Sequence, residues 1–226
     1  MDLFEIRSYE DIRDSLRVRI MDIKRNAETL KNAVYEPIGC GLAMVAYMEM
    51  PEEISANGIA NVPRSLAEVM TGTDPKTVLE DAMKGSVSME YPKLCSIQDM
   101  LFAPMIDHEP ENYLDGGTAP EGTLLVLTTE EGRLGASALL YPGIQEKIGK
   151  IVGGDYYVLP SSIHEVLILP DNGEQTPSEL AKMVKTINEN EVAPEDRLCN
   201  RVLRFHVDTQ ELTVAADADR RREMER

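Results

Sequence analysis

The sequence predicts an α+β protein with mainly antiparallel sheet, built as two consecutive strand-pair-plus-helix units preceded by a long N-terminal helix. Three observations carry this reading. Two apolar runs of strand length, Gly41 to Met50 and Thr123 to Thr129, are each followed by turn residues and a second extended segment. Helix-start signals follow each pair: Asp74-Pro75 after the first, and Pro142, then Thr176-Pro177-Ser178-Glu179, after the second. Between them, Ala103 to Gly122 is rich in Pro, Gly and acidic residues and has no apolar period, so it separates the units.

The elements follow in order. Ser8 with Asp11 resembles a capping pair, and Ile12, Leu16, Ile20, Ile23, Ala27 and Leu30 recur at helical spacing. That predicts one amphipathic helix of about six turns, with Asp11, Arg13, Asp14, Arg17 and Lys24 as its wet face. Pro37 and Gly39 end it, and GLAMVAYMEM is a buried strand. Ile54 to Val62 returns as a second strand, with Asn57-Gly58 as a turn or bulge. Arg64 to Met70 has helical spacing. The helix opened by Asp74 and Pro75 buries Val78, Leu79, Ala82 and Met83.

In the second half, Glu130-Glu131-Gly132 is a hairpin turn and Leu134 to Tyr141 the return strand. The helix from Pro142 ends at Gly153-Gly154, and two strands, Asp155 to Leu159 and Ile163 to Leu169, meet at Pro160-Ser161-Ser162. Thr176 and Glu179 form a capping box for a helix that buries Leu180, Met183, Val184 and Ile187. Arg201 to Val207 is a last strand, with Leu212 to Val214 pairing back. The predicted layout is 1–102, linker 103–122, second unit 123–215 and a charged, frayed tail 216–226. LAMVAYMEM…VPRSLAEVM and LLVLTTEEG…YPGIQEKI match in pattern, with Pro63 and Pro142 in corresponding places, as a duplication would produce.

Composition excludes several function classes. The net charge of −17 argues against nucleic acid and anionic membrane surfaces, which need clustered Lys and Arg. Cys40, Cys95 and Cys199 have no metal or disulfide spacing, and His108, His164 and His206 are scattered. No cofactor and no metal are expected. His108 between Asp107 and Glu109 reads as a polar loop, since a metal site needs converging ligands. The first residues, MDLFEIRSYEDI, are charged and no apolar run reaches membrane length, so the expected location is the cytoplasm.

One cluster of reactive types stands out: Ser161, Ser162, His164 and Glu165, with Tyr141 upstream. Serine, imidazole and carboxylate are the parts of acyl transfer. On a strand, however, Ser162 and His164 face one side and Glu165 the other, and the chain has no G-x-S-x-G elbow. Turn hydrogen bonding by the serines and sheet-edge roles for His164 and Glu165 account for the same residues. These five are the candidates for ligand or partner contact; none is assigned as catalytic. Gly153-Gly154 ends a helix and is too short to cradle a phosphate.

The string GASALLYPG…GGDYYVLPSSIHEVLILP resembles the signature of an uncharacterised bacterial family, domain-of-unknown-function family 5688, whose members occur mostly in gut bacteria. GLAMVAY, Tyr91-Pro92-Lys93-Leu94, Asn26 with Leu30, and Asn188 fit it in order, over Tyr9 to Leu212. The resemblance implies a further N-terminal region in other members, so the expectation is that this chain is a short form or a fragment. It also implies an acidic residue before the LA strand, where this chain has Gly41. It supplies no reaction. The expectation is a non-enzymatic cytosolic module acting through a protein partner or self-association. The alternative is a small-molecule binder or hydrolase centred on the Ser-Ser-Ile-His-Glu turn.

Overall fold

A computed structural model describes residues 9–50, 55, 58–66, 74–102, 105 and 109–219. The chain divides into two compact units, Met1–Tyr91 and Pro92–Arg226. Both are α+β with antiparallel sheets, of four and six strands.

The first unit runs α1 (Glu10–Arg13), β1 (Leu16–Asp22), α2 (Ala27–Leu30), β2 (Tyr35–Gly39), β3 (Leu42–Glu49), β4 (Ile59–Asn61) and α3 (Pro75–Met89). The long N-terminal helix expected from the sequence is absent. Its middle is β1, flanked by two helices of four residues each. The spacing Leu16–Ile20 that suits a helix also suits a strand once Val18 lies between them. Leu16, Val18 and Ile20 face Met48, Ala46 and Met44 across β3, and all three are fully buried. Arg17 and Arg19 fill the alternate positions. β-branched Val18 and Ile20 and a waiting partner strand decide the outcome.

Strands β2 and β4 share the other edge of β3. The first pairs with its start and the second with its end. A ring of three backbone bonds joins them: Val34 N–H to the Val62 carbonyl (2.8 Å), Val62 N–H to Ala46 (2.9 Å) and Ala46 N–H to Val34 (3.0 Å). The turn from β2 to β3 is Cys40-Gly41, both left-handed with φ of 53° and 73°, as a two-residue type I′ hairpin requires. One side of the sheet buries Met21, Ala43 and Val45 with Leu30 and Ala33.

Helix α3 lies against β1 and β3. Asp74 accepts the Lys76 N–H at 3.1 Å ahead of Pro75, as the sequence predicts. Val78, Leu79 and Ala82 are buried, and Ser86 Oγ accepts the Val18 N–H of β1 at 3.0 Å. Gly85 permits this approach, because a Cβ there would overlap the Leu16 carbonyl and come within 2.8 Å of Arg17 Nη1. The expected helix over Arg64 to Met70 is helical at 64–66, and its remainder lies outside the described residues, as do Ile54, Asn57 and His108.

The second unit runs β5 (Pro92–Ser96), α4 (Ile97–Phe102), β6 (Leu125–Thr129), α5 (Ile144–Val152), β7 (Tyr156–Leu159), β8 (Val166–Pro170), α6 (Pro177–Asn190), β9 (Arg201–His206) and β10 (Glu211–Asp217). Sheet order is β10-β9-β7-β8-β6-β5. The unit boundary lies at Tyr91/Pro92 instead of within 103–122, because β5 pairs with β6 through Leu94↔Leu127. That makes the Pro/Gly-rich stretch an internal connection, and Asn112 pins it to β5. Its Oδ1 accepts the Leu94 N–H at 2.9 Å, and its amide donates to the Pro92 carbonyl.

Leu134 to Tyr141 is not the return strand that its apolar pattern suggests. Gly135–Leu140 is a 3₁₀ helix, and the helix after Pro142 starts at Ile144 behind a left-handed Gly143. The reason sits at Gly135, where a Cβ would overlap Thr128 Oγ1 and come within 2.6 Å of Thr129 N and 2.7 Å of the His164 carbonyl. A glycine pressed flat on β6, followed by small residues, coils on the sheet instead of adding to it. The proposed duplication therefore has no matching second strand. Thr176 and Glu179 form the capping box read from the sequence, and α6 buries Leu180, Ala181 and Val184 against Tyr157, Leu159 and Val202. β10 pairs back on β9, as expected, but it runs on to Asp217, so Ala216 and Asp217, expected in the frayed tail, pair with Val202 and Arg201.

Candidate functional site

Ser161 to Glu165 form the loop of the β7–β8 hairpin; regular strand resumes only at Val166. The strand expected to begin at Ile163 starts three residues later because neighbouring segments take this loop's backbone groups. Ile163 N–H donates to the Asp196 carbonyl (2.8 Å), Leu198 N–H to Ser161 (2.9 Å) and Ala136 N–H to Ile163 (3.3 Å). Ser161 and Ser162 are buried, and Ser162 Oγ accepts the backbone N–H of His164 at 2.9 Å, a serine turn.

The His164 ring is held at both nitrogens. Nδ1 accepts the Leu134 N–H at 3.2 Å, and Nε2 lies 3.2 Å from Asp196 Oδ1. With Nδ1 an acceptor, the proton of the neutral ring sits on Nε2, toward the carboxylate. Leu134 itself is left-handed, with φ of 55°, and buried. His164 thus fastens the 3₁₀ segment on one flank and the 193–198 turn on the other. Glu165 is half-buried beside it, and Tyr141 is buried at the end of the 3₁₀ helix. Of the five sequence candidates, Ser162 and His164 are brought together, but through the histidine's backbone and not its ring.

A second polar constellation is invisible in local sequence. Asp155, Asp171, Arg204, His206 and Thr213 come from the ends of β7 and β8 and from β9 and β10. They form a polar row across these four strands. Arg204 Nη2 is 2.6 Å from Asp171 and 3.2 Å from Asp155, and its guanidinium lies over the Tyr157 ring, 5.9 Å from its centroid. The Val207 N–H donates to Asp155 Oδ1 at 2.9 Å. That bond, working against partial burial and aided by Arg204 and His206, holds the Asp155 carboxyl below its ordinary range. Burial, and then Asp171, push the Tyr157 phenol up. His206 Nδ1 is 3.3 Å from Asp155 Oδ2, and its Nε2 is 3.1 Å from Thr213 Oγ1. The only sequence clue is the alternation of Arg204 and His206 on one strand, which places them on one face.

In the first unit, a groove of about 330 Å³ runs between α3 and the β2–β3 sheet. Met44, Leu79 and Met83 floor it, and Glu36, Lys76, Glu80 and Lys84 form its rim. Nearby on the same elements, Ile38 and Val87 are 36% and 46% exposed. Among the described residues, no group of three ligand-type side chains is arranged to hold a metal, and no helix is long and apolar enough to cross a membrane.

No curated protein and no solved structure matches the chain. A family model does, over residues 1–206, from the N-terminus to the end of β9 and so across both units. The chain belongs to the family of unknown function DUF5688.

Proposed function

We propose that this chain is a bacterial cytoplasmic module that works through protein contact, with the groove of the first unit as its recognition surface. The observation that supports the reading is the apolar floor of Met44, Leu79 and Met83 open between charged rims. Methionines adapt to irregular surfaces, and paired Lys and Glu on the rim favour a protein segment carrying one apolar anchor between charges of both signs. A nucleic acid or an anionic membrane fits poorly, given the chain's net charge of −17.

The reading at the Ser-Ser-Ile-His-Glu loop is less well supported. The His164 ring nitrogens and the Ser162 hydroxyl already serve the fold. The test uses wild-type chain and Met83→Lys as baits in native lysate, with light scattering on both to register self-association. Met83 is only partly buried, so the variant should fold, and its melting temperature checks this. A stoichiometric partner or dimer that Met83→Lys loses is the expected result. Equal capture and equal mass for both baits refute the groove as the contact surface.

A further inference from the structure

We propose that Thr213 is an activated nucleophile, served by His206 as general base and Asp155 as the carboxylate that orients and stabilises the imidazolium. The inference stands on the order and spacing of the three groups. Hydroxyl, Nε2, Nδ1 and carboxylate follow one another at 3.1 Å and 3.3 Å. That is the connectivity by which an imidazole takes a hydroxyl proton while a carboxylate holds the ring in the required tautomer.

The carboxylate is itself fixed. Asp155 Oδ1 accepts the Val207 N–H, and Arg204 reaches Oδ2 at 3.2 Å while bonding Asp171 on its other side. Adjacent strands hold each member: Asp155 directly precedes β7, His206 ends β9, and Thr213 lies on β10 opposite Arg204.

Thr213 is exposed, and the side chains of His206 and Asp155 are about one-third exposed, so a ligand reaches the hydroxyl directly. An open surface supplies little binding energy and a secondary hydroxyl is a weak nucleophile, which limits the substrate to small carboxylic esters with a good leaving group. Thr213 Oγ1 bonds to the carbonyl carbon and its proton passes to His206 Nε2. The carbon–oxygen bond to the leaving alcohol breaks, and the alcohol departs with that proton. Water then attacks the acyl-Thr213 ester, giving its proton to His206, and the free acid and the Thr213 hydroxyl are regenerated. The activity goes beyond the contact reading and is independent of it, since the groove belongs to the other unit.

The experiment is acetylation of the full chain by p-nitrophenyl acetate, quenched in acid within the first turnover so that the acyl ester is trapped before water removes it, with the adduct mapped by peptide mass spectrometry. An acetyl group on Thr213 is expected in wild type and Thr213→Ser, and its loss is expected in Thr213→Val. His206→Gln should slow its formation by about 100-fold or more, the usual contribution of a positioned base. Melting temperatures verify that the variants fold. Acetyl groups confined to lysines, or acetylation unchanged by His206→Gln, overturn the proposal. The wild-type map alone decides the first of these even if a variant misfolds.

Discussion

Replacing His164 with alanine tests whether this ring is the fastener described above. The change removes the acceptor of the Leu134 N–H, and Leu134 is only 4% exposed, so water cannot easily take over. An orphaned buried donor costs about 1–3 kcal/mol. The Asp196 link, between side chains one-third exposed, adds at most about 1 kcal/mol after solvent screening. The sum is about 1–4 kcal/mol, which for a unit of this size lowers the melting temperature by about 4–15 °C. Glu165→Ala, at the next residue, should stay within about 0.5 kcal/mol of wild type. Thermal unfolding with hydrogen exchange on the peptide spanning 130–136 reads both effects. A His164→Ala protein that melts within about 2 °C of wild type, with the Leu134 amide still protected, would show that the ring is not the fastener.

Three further outcomes follow from the geometry. Gly85→Ala forces a methyl into the Leu16 carbonyl and should destabilise the first unit by about 3 kcal/mol, read as a lower urea midpoint. Cys40→Asn places a residue tolerant of left-handed backbone in the β2–β3 turn and should raise stability by about 0.5–1 kcal/mol in the same assay. The Asp155 carboxyl is held below its unfolded value, so its contribution is complete above about pH 4 and is lost as pH falls through the lower native value. Asp155→Asn should therefore flatten the acid limb of the melting-temperature profile, and an unchanged limb would contradict that assignment.

Local chemistry was legible wherever one or two neighbouring residues decide the structure. Asp74-Pro75 and Thr176-Pro177 announce their helices because a cap needs only a side chain and the backbone beside it. Leu16 to Ile20 was misread because a helical stripe and an alternating strand coincide on that spacing, and only β3, more than twenty residues on, settles which forms. Leu134 to Tyr141 was misread because the deciding contact, Gly135 against Thr128, Thr129 and His164, spans distant segments. The polar row around Asp155 left one faint linear trace, the alternation of Arg204 and His206, because its members are drawn together by the register of four strands. The Ser-Ser-Ile-His-Glu string was conspicuous in the sequence, and its residues turned out to make turn and cross-segment bonds.

The sheet order of the second unit gives its central hairpin a particular position. β7 and β8 occupy the middle, with β6 and β5 arriving from earlier in the chain on one side and β9 and β10 from later on the other. The loop joining the central pair holds a segment from each wing: Leu134 at one ring nitrogen of His164 and Asp196 at the other. That loop is therefore a coincidence detector for assembly. Either wing docked alone satisfies one nitrogen, and only a sheet complete on both sides satisfies the two together.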